Sequence, residues 1–190
     1  MKNVKIGFAF CGSFCTINKS LKQLEKLAET DADIYPIMSP IVFNTDTRFT
    51  NALELRKQVE KISGKKIIST VNEAEPIGPK GMLDLLIISP CTGNTLSKIS
   101  LGITDTSVTM AAKAQLRNDR PVLLCIATND ALSGSAQSIG KLLNTKNIYF
   151  VPFGQDDAIK KPTSMISNFD LLIPAAEEAL SKKQLQPIII

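Results

Sequence analysis

The sequence predicts a three-layer α/β fold, in which helices cover both faces of a doubly wound, mainly parallel sheet. Short apolar runs alternate with helix-like segments along all 190 residues, which is typical of strand–helix repeats. The run at 85–88 is unbroken, as expected for a central parallel strand that is buried on both faces. A chain of this length fits one domain, 1–190, with a sizeable core.

The first strand–helix unit opens the chain. The apolar run 4–10 predicts a strand, and apolar residues recur at helical spacing over 17–28, which predicts a helix with one buried face. Between them, Gly12 and Ser13 predict a tight turn in which Ser13 is the N-cap of the helix. A second strand is predicted at 34–38.

The next segments complete the first half of the chain. Pro36 indicates that the second strand lies at an edge or is bent, because proline cannot donate to a sheet ladder. A helix is predicted over 52–62, ending at Gly64 as its C-cap. A short third strand is predicted at 67–69, and 71–81 is predicted to be a loop around the ligand edge or at a boundary between subunits.

The central strand and its neighbour follow. Pro90 is expected to stop the strand that begins at 85–88, and small polar residues then lead into a helix. A further helix is predicted over 108–116, with Asp105 as its cap. The apolar run 121–127 predicts the next buried strand.

The C-terminal third predicts one more strand–helix repeat and a terminal helix. A helix at 139–143 precedes a strand at 148–151, and the polar segment 154–168 is predicted to be a lid. The C-terminal helix and tail occupy 174–190. The apolar tail 187–190 is expected to pack against its own sheet or a neighbouring subunit.

The composition excludes several classes of function. Lys plus Arg number 22 and Asp plus Glu number 18, so the net charge is +4 and is spread along the chain, unlike the clustered charge of nucleic-acid-binding proteins. No apolar run is long enough to span a bilayer or to form the core of a signal peptide, which predicts a cytoplasmic protein. The chain contains no histidine, so it cannot build a Ser-His-Asp triad, a Cys-His pair or a histidine general base.

The four cysteines predict reduced thiols, with neither a disulfide framework nor a zinc site. Cys11 and Cys91 are expected at the ligand edge, either as reactive thiols or simply as buried small residues. Gly7 and Gly12 have the spacing of a phosphate-binding P-loop but lack its lysine, and there is no G-x-G-x-x-G fingerprint. We therefore expect no NADP on this chain itself.

Polar residues gather where the predicted parallel strands end, at the edge where open α/β sheets bind ligands. The Gly12–Ser13 turn is either a plain strand-to-helix turn or, together with the other polar clusters, a seat for a monophosphate. Thr92, Asn94 and Thr95 either only cap the following helix or contact a ligand as well.

The string Pro90-Cys91-Thr92-Gly93-Asn94-Thr95, with Lys98 and Gly102-Ile103-Thr104-Asp105, resembles the Pro-x-x-x-Asn-Thr…Lys…Gly-Ile-x-Asp signature of small FMN-dependent flavoproteins. That family includes cysteine decarboxylases of the phosphopantothenoyl and lantibiotic type. The resemblance implies a Rossmann-like or flavodoxin-like fold, an FMN site and homo-oligomers, often trimers. The residues that it places in contact with FMN are Gly12, Ser13, Ser39, Pro90, Thr92, Gly93, Asn94, Thr95 and Asn129. It places Lys98 and Asp105 near the substrate or in support of the site.

Across the whole chain, including the Cys11-Gly12-Ser13 turn and the residues 182–187, the resemblance is closer to those members of the family that act as B subunits. It implies a subunit of an oxidoreductase that converts dihydrodipicolinate, a small dicarboxylate, to dipicolinate (pyridine-2,6-dicarboxylate). The reaction would take place in the mother cell of a sporulating bacterium, with NADP on a partner A subunit. Catalytic residues are not identified by this resemblance.

Two departures from the family pattern leave alternatives open. The cysteine decarboxylases use a histidine that this chain lacks, and Ile126-Ala127-Thr128-Asn129 replaces the family's Pro-Ala-Met-Asn cluster. Cysteine decarboxylation is therefore not expected. If the oxidoreductase role does not apply, two alternatives remain. The chain is then a non-catalytic assembly partner of the A subunit, or it is an FMN-dependent decarboxylase or prenyl-transfer enzyme of unknown substrate.

Overall fold

A computed structural model describes all residues, 1–190, and its centre is a seven-stranded sheet. The strands are β1 (Lys5–Phe10), β2 (Asp33–Met38), β3 (Leu85–Cys91), β4 (Val122–Thr128), β5 (Ile148–Phe150), β6 (Phe153–Asp157) and β7 (Lys161–Ser167). The main order is β2-β1-β3-β4-β7-β6, and β5 also pairs with β4. Strands β1 to β5 pair in parallel, whereas β7 is antiparallel to both β4 and β6.

Eight helices surround the sheet: α1 (Ile17–Ala28), α2 (Pro40–Asn44), α3 (Ala52–Ser63), α4 (Val71–Ala74), α5 (Gly93–Leu101), α6 (Ser107–Arg117), α7 (Ala136–Leu143) and α8 (Leu172–Leu180). None of them is long and apolar enough to cross a bilayer.

The core has two halves, one on each face of the sheet. Side chains alternate across β3, whose residues are all buried, so that Leu86 and Ile88 join a cluster of 24 buried residues that includes α5, α6 and α7 side chains. Leu85 and Ile87 join a cluster of 23 on the opposite face, with α1, α3 and α8. This confirms the predicted three-layer α/β fold with a mainly parallel sheet.

Several predicted elements are confirmed with small changes at their ends. Helix α3 ends at Gly64, which is left-handed with φ +66°, as a C-cap glycine should be. Strand β2 lies at one edge of the sheet, as Pro36 indicated. The predicted third strand at 67–69 is reduced to a single bridge between Ile68 and Ile37 of β2.

Three predictions at helix and strand ends were wrong. Ser13 does not cap α1, because a 3-10 turn, Phe14–Thr16, intervenes and the Ser13 side chain caps nothing. Asp105 does not cap α6; the neighbouring Thr106 does, through a capping box with Thr109. Pro90 does not stop β3, since the strand continues to Cys91 with a register shift against β4.

The segment 71–81 was predicted to be a loop around the ligand edge or at a boundary between subunits, but much of it is helical. It contains α4, opened by a capping box of Thr70 and Glu73, and a 3-10 turn Glu75–Ile77. Both pack against α6, and Asn118 Nδ2 at the end of α6 donates to the Gly78 carbonyl over 2.7 Å. The segment begins beside the carboxyl end of β2, where the Met38 amide donates to the Ile68 carbonyl, and runs along α6 to the C-terminal end of that helix.

The predicted lid 154–168 is built mainly of strands β6 and β7, which form an antiparallel hairpin that extends the sheet beyond β4. Whether this hairpin moves stays a prediction. The C-terminal tail packs against its own sheet, which was one of the two expectations: Phe153 of β6 donates to the Ile188 carbonyl and accepts from the Ile190 amide. A Cβ on Gly154 would lie 2.1 Å from the Ile190 oxygen, so glycine is needed there.

Candidate functional site

Two adjoining cavities open at the carboxyl ends of the parallel strands. The smaller has a volume of about 450 Å³ and the larger about 820 Å³. Gly12, Thr92 and Asn94 line both cavities and form the ridge between them. Gly12 follows β1 and Thr92 follows β3, so the parallel register of these strands brings the two turns together.

The smaller cavity offers hydrogen-bond donors for an anion. Ser39, which follows β2, is only 8% exposed, and its Oγ has no hydrogen-bond partner. Thr92 Oγ1 accepts from the Thr95 amide over 3.3 Å and so caps α5. The amides of Gly93 and Asn94 precede the first hydrogen-bonded turn and have no partner within the helix. A buried unpartnered hydroxyl beside a helix N-terminus fits a phosphate group.

The cation of the smaller cavity is already neutralised. Lys98 Nζ lies 2.7 and 2.9 Å from the two carboxylate oxygens of Asp105. This hydrogen bond lowers the pKa of the Asp105 carboxyl below its ordinary value. Lys98 lines the cavity, whereas Asp105 is exposed and holds the lysine from outside. The anion-binding character of this cavity therefore comes chiefly from uncharged donors.

Gly93 stands against a carboxylate network that borders the larger cavity. Asp130 Oδ1 accepts from Thr128 Oγ1 over 2.5 Å and from Ser135 Oγ over 2.9 Å. A Cβ on Gly93 would lie 2.4 Å from Ser135 Oγ and 2.5 Å from Asp130 Oδ1, so no larger residue fits. The network therefore fixes the position of the α5 N-terminus relative to the end of β4.

The thiols expected at the ligand edge are buried. Burial raises the pKa of Cys11 to about 11, although Thr95 Oγ1 donates to its sulfur over 3.2 Å. Burial also raises the pKa of Cys91 well above its ordinary value and that of Cys125 to about 12. Because the thiolate is the nucleophile, this burial disfavours the reactive form of Cys11 and Cys91 at neutral pH. The exposed thiol is Cys15, which lines the larger cavity.

Nine of the predicted site residues line the cavities: Gly12, Ser13, Ser39, Thr92, Gly93, Asn94, Thr95, Lys98 and Asn129. The other two do not. Pro90 is buried within β3, and Asp105 acts only through Lys98. No group of three or more His, Cys, Asp or Glu side chains is placed to hold a metal ion.

Sequence reasoning missed the outer walls of the larger cavity. One wall is the loop between α2 and α3, with Arg48 and Phe49, and the other is the β6–β7 hairpin, with Asp156 and Lys161. Neither carries a recognisable motif. The polar segment 154–168 was predicted to be a lid, but none of its residues was named as a site residue.

A family model described as Flavoprotein matches residues 1–168, which is most of the chain and includes both cavities' glycine turns. The chain belongs to the flavoprotein family. It is 45% identical to the B subunit of dipicolinate synthase from Bacillus subtilis (strain 168) over 190 residues, covering 100% of this chain and 95% of that protein. This confirms the end-to-end resemblance to the family's B subunits.

Two solved structures of known proteins superpose on this chain over nearly its whole length. The crystal structure of the B subunit of dipicolinate synthase from Bacillus halodurans C superposes with a TM-score of 0.91 at 41% identity, covering 100% of this chain and 98% of that one. The FMN-dependent cysteine decarboxylase SpaF superposes with a TM-score of 0.62 at 16% identity, covering 96% and 97%. At that identity SpaF supports the shared fold alone.

Proposed function

We propose that this chain is the B subunit of a dipicolinate synthase, which takes part in the oxidation of dihydrodipicolinate to dipicolinate. The observation that carries the proposal is the 45% identity, over the full chain, to the B subunit of the Bacillus subtilis enzyme. The name of that relative implies an A subunit as partner. We assign NADP to the A subunit, since this chain has no dinucleotide fingerprint. The place of action would be the mother cell of a sporulating bacterium.

FMN is the proposed cofactor, and the smaller cavity is its proposed phosphate seat. Ser39 Oγ is buried without a partner and is free to donate to a phosphate oxygen. Gly12 lines this cavity without adding a side chain to it, and the N-terminus of α5 favours a negative charge. When bound, FMN supplies two-electron redox chemistry.

The larger cavity is the proposed place for the flavin ring and the substrate. Thr92, Gly93 and Asn94 lie between it and the phosphate seat, and Asn129 lies on its wall. Gly93 keeps the α5 N-terminus against Asp130, which holds this boundary in place. With no histidine and a protonated Cys11, the chain's own residues position ligands and do not supply a neutral-pH nucleophile from the buried thiols.

The test of the cofactor is a flavin absorbance spectrum of the purified protein before and after FMN is added. The matched variants are Gly12→Asp, whose carboxylate would repel the phosphate, and Gly140→Asp, which places the same group on an exposed helix with open space around it. We expect a bound-flavin spectrum in the wild type and in Gly140→Asp, and its loss in Gly12→Asp. Equal spectra in both variants would remove the proposed seat.

A second candidate is a non-catalytic partner of the A subunit. It is favoured by the engagement of both cavity lysines: Lys98 is bound by Asp105 and Lys161 by Asp156, so neither is free for proton transfer. Turnover of the isolated A subunit is the discriminating measurement. Activity that needs this chain supports the synthase role, whereas activity that is unchanged by adding it supports the assembly role.

Two further expectations remain as proposals. An FMN-dependent decarboxylase of unknown substrate would release carbon dioxide from a candidate acid, and no release from the FMN-loaded protein would exclude that alternative. A homo-oligomer, trimeric or a multiple of three, is expected from the family resemblance. Light scattering at micromolar concentration tests it, and a monomer would contradict it.

A further inference from the structure

One cation at the candidate site has no carboxylate partner. Three cationic side chains line the two cavities: Lys98, Lys161 and Arg48. Lys98 is paired with Asp105, and Lys161 Nζ lies 2.7 Å from Asp156 Oδ2. Arg48 takes part in no ion pair, and its guanidinium carbon lies 4.7 Å from the centroid of the Phe49 ring. Arg48 is therefore the cavity cation whose charge is available to a ligand.

The loop that carries Arg48 has a defined conformation. Thr47 Oγ1 accepts from the amides of Phe49 and Thr50 over 3.2 and 3.3 Å, and the Thr47 amide donates to the Thr50 carbonyl. Asp46 Oδ1 then accepts from the Ala52 amide and ties the loop to α3. Phe49 is nevertheless 45% exposed, so its ring does not serve the core. The loop holds a guanidinium and an aromatic face together at the cavity.

The wall of the larger cavity that faces the α2–α3 loop is acidic, so it repels an anionic ligand. The α2–α3 loop follows β2 at one end of the strand order, whereas Asp130 and Asp156 belong to the β4 end and to the hairpin at the other. Asp156 accepts from Lys161, but Asp130 is bound only by uncharged hydroxyls, so no cation neutralises it. An anionic ligand in the larger cavity is thus directed away from Asp130 and towards Arg48.

We propose that Arg48 and Phe49 together recognise the substrate, as a planar ring carboxylate of the pyridine-2,6-dicarboxylate class. The guanidinium binds a carboxylate through two parallel hydrogen bonds, a geometry that lysine cannot reproduce. The face of Phe49 stacks on the planar ring to which that carboxylate is attached. This assignment of the substrate class rests on the proposed function, and it makes Arg48 the specificity-determining residue of the larger cavity.

The test is calorimetric binding of pyridine-2,6-dicarboxylate to the full-length protein, with FMN affinity measured separately by flavin fluorescence. The variants are Arg48→Met, which keeps the length of the side chain without its charge, Phe49→Leu, and Arg117→Met as the matched control, because Arg117 is exposed and lines neither cavity. We expect Arg48→Met to weaken dicarboxylate binding roughly tenfold or more, because the two charge-assisted hydrogen bonds to the carboxylate are lost. Phe49→Leu should weaken it by less, and Arg117→Met by less than about threefold.

The two proposals fail in different ways. Dicarboxylate binding that depends on Arg48 in a protein that takes up no FMN would sink the cofactor proposal and leave this one standing. No binding by the wild type, or an unchanged affinity in Arg48→Met, would overturn the role of Arg48. A parallel loss of FMN and dicarboxylate affinity in Arg48→Met would also overturn it, because Arg48 would then belong to the flavin site.

Discussion

The two cavities share a ridge but differ in whether the cation that lines them is neutralised. In the smaller cavity the cation, Lys98, is neutralised by Asp105, and what remains free is a buried hydroxyl and a helix N-terminus. In the larger cavity one cation, Arg48, is free and the acidic groups are hydrogen-bonded. The smaller cavity therefore offers an anion fixed dipoles, whereas the larger cavity offers it a formal positive charge. Binding of an anion in the second should therefore weaken more steeply than binding in the first as salt is added.

Gly93 lies between Thr92 and Asn94 of the ridge that separates the cavities, and replacing it should have the largest effect. In Gly93→Ala the new methyl group would collide with Asp130 and Ser135, so the α5 N-terminus or the end of β4 must move. We expect a loss of about 1–3 kcal/mol in the free energy of unfolding and weaker binding in both cavities. Urea denaturation measures the first. Gly140→Ala, where a Cβ meets nothing, is the control and should be neutral or stabilising. Equal stability of Gly93→Ala and Gly140→Ala would contradict the close packing of Gly93 against Asp130 and Ser135.

Ser39→Ala should weaken FMN binding without lowering the stability of the fold. Its hydroxyl is buried without a partner, so removing it should leave the free energy of unfolding unchanged or slightly higher. FMN affinity should fall roughly tenfold, because a hydrogen bond to the phosphate is lost. Thermal unfolding of the FMN-free protein and a fluorescence titration check the two halves. A loss of stability with unchanged FMN affinity would show that Ser39 is structural.

Thiol labelling should divide the four cysteines by burial. At pH 8 an alkylating reagent should modify Cys15, which is exposed at the larger cavity, within minutes. Cys11, whose pKa is raised to about 11, should react only after unfolding, as should the buried Cys91 and Cys125. Mass spectrometry of native and denatured samples measures this. Rapid native labelling of Cys11 would mean that the smaller cavity is more open than described.

The smallest effect concerns the ion pairs beside each cavity. Hydrogen bonds from Lys98 and Lys161 lower the pKa of Asp105 and Asp156 respectively, below an ordinary value of 3.8. Each carboxylate therefore contributes stability that is present above its ordinary pKa and is lost as the pH falls through the lowered one. Asp105→Asn and Asp156→Asn should lower the unfolding temperature slightly at pH 7, and the difference from wild type should shrink below about pH 4. A difference that grows on acidification would contradict this.

The sequence predicts the smaller cavity better than the larger for a physical reason. Gly12, Ser39 and Thr92 each follow a parallel strand, and the carboxyl ends of such strands meet at one edge, so their proximity follows from the fold. Arg48 lies on a loop with no repeating pattern, and its position depends on how α2 and α3 pack. Its lack of a carboxylate partner is a tertiary property that no local signal carries.

The wrong predictions have equally local causes. Asp105 and Thr106 are adjacent and both are good capping residues, so composition alone could not choose between them. The strands β6 and β7 were not predicted, because their outer residues are polar, as expected of strands at the exposed edge of a sheet; the lid role of 154–168 stays a prediction. Pro90 was expected to end β3, but the register shift against β4 accommodates it within the strand.

The central claim is that the smaller cavity is a phosphate seat for FMN, and a comparison of FMN with riboflavin tests it most directly. The two flavins differ only by the phosphate, so the ratio of their dissociation constants isolates the seat. We expect wild-type protein to bind FMN roughly a hundredfold more tightly than riboflavin, a ratio that Gly12→Asp should largely abolish. Equal affinities of the wild type for the two flavins would contradict the claim.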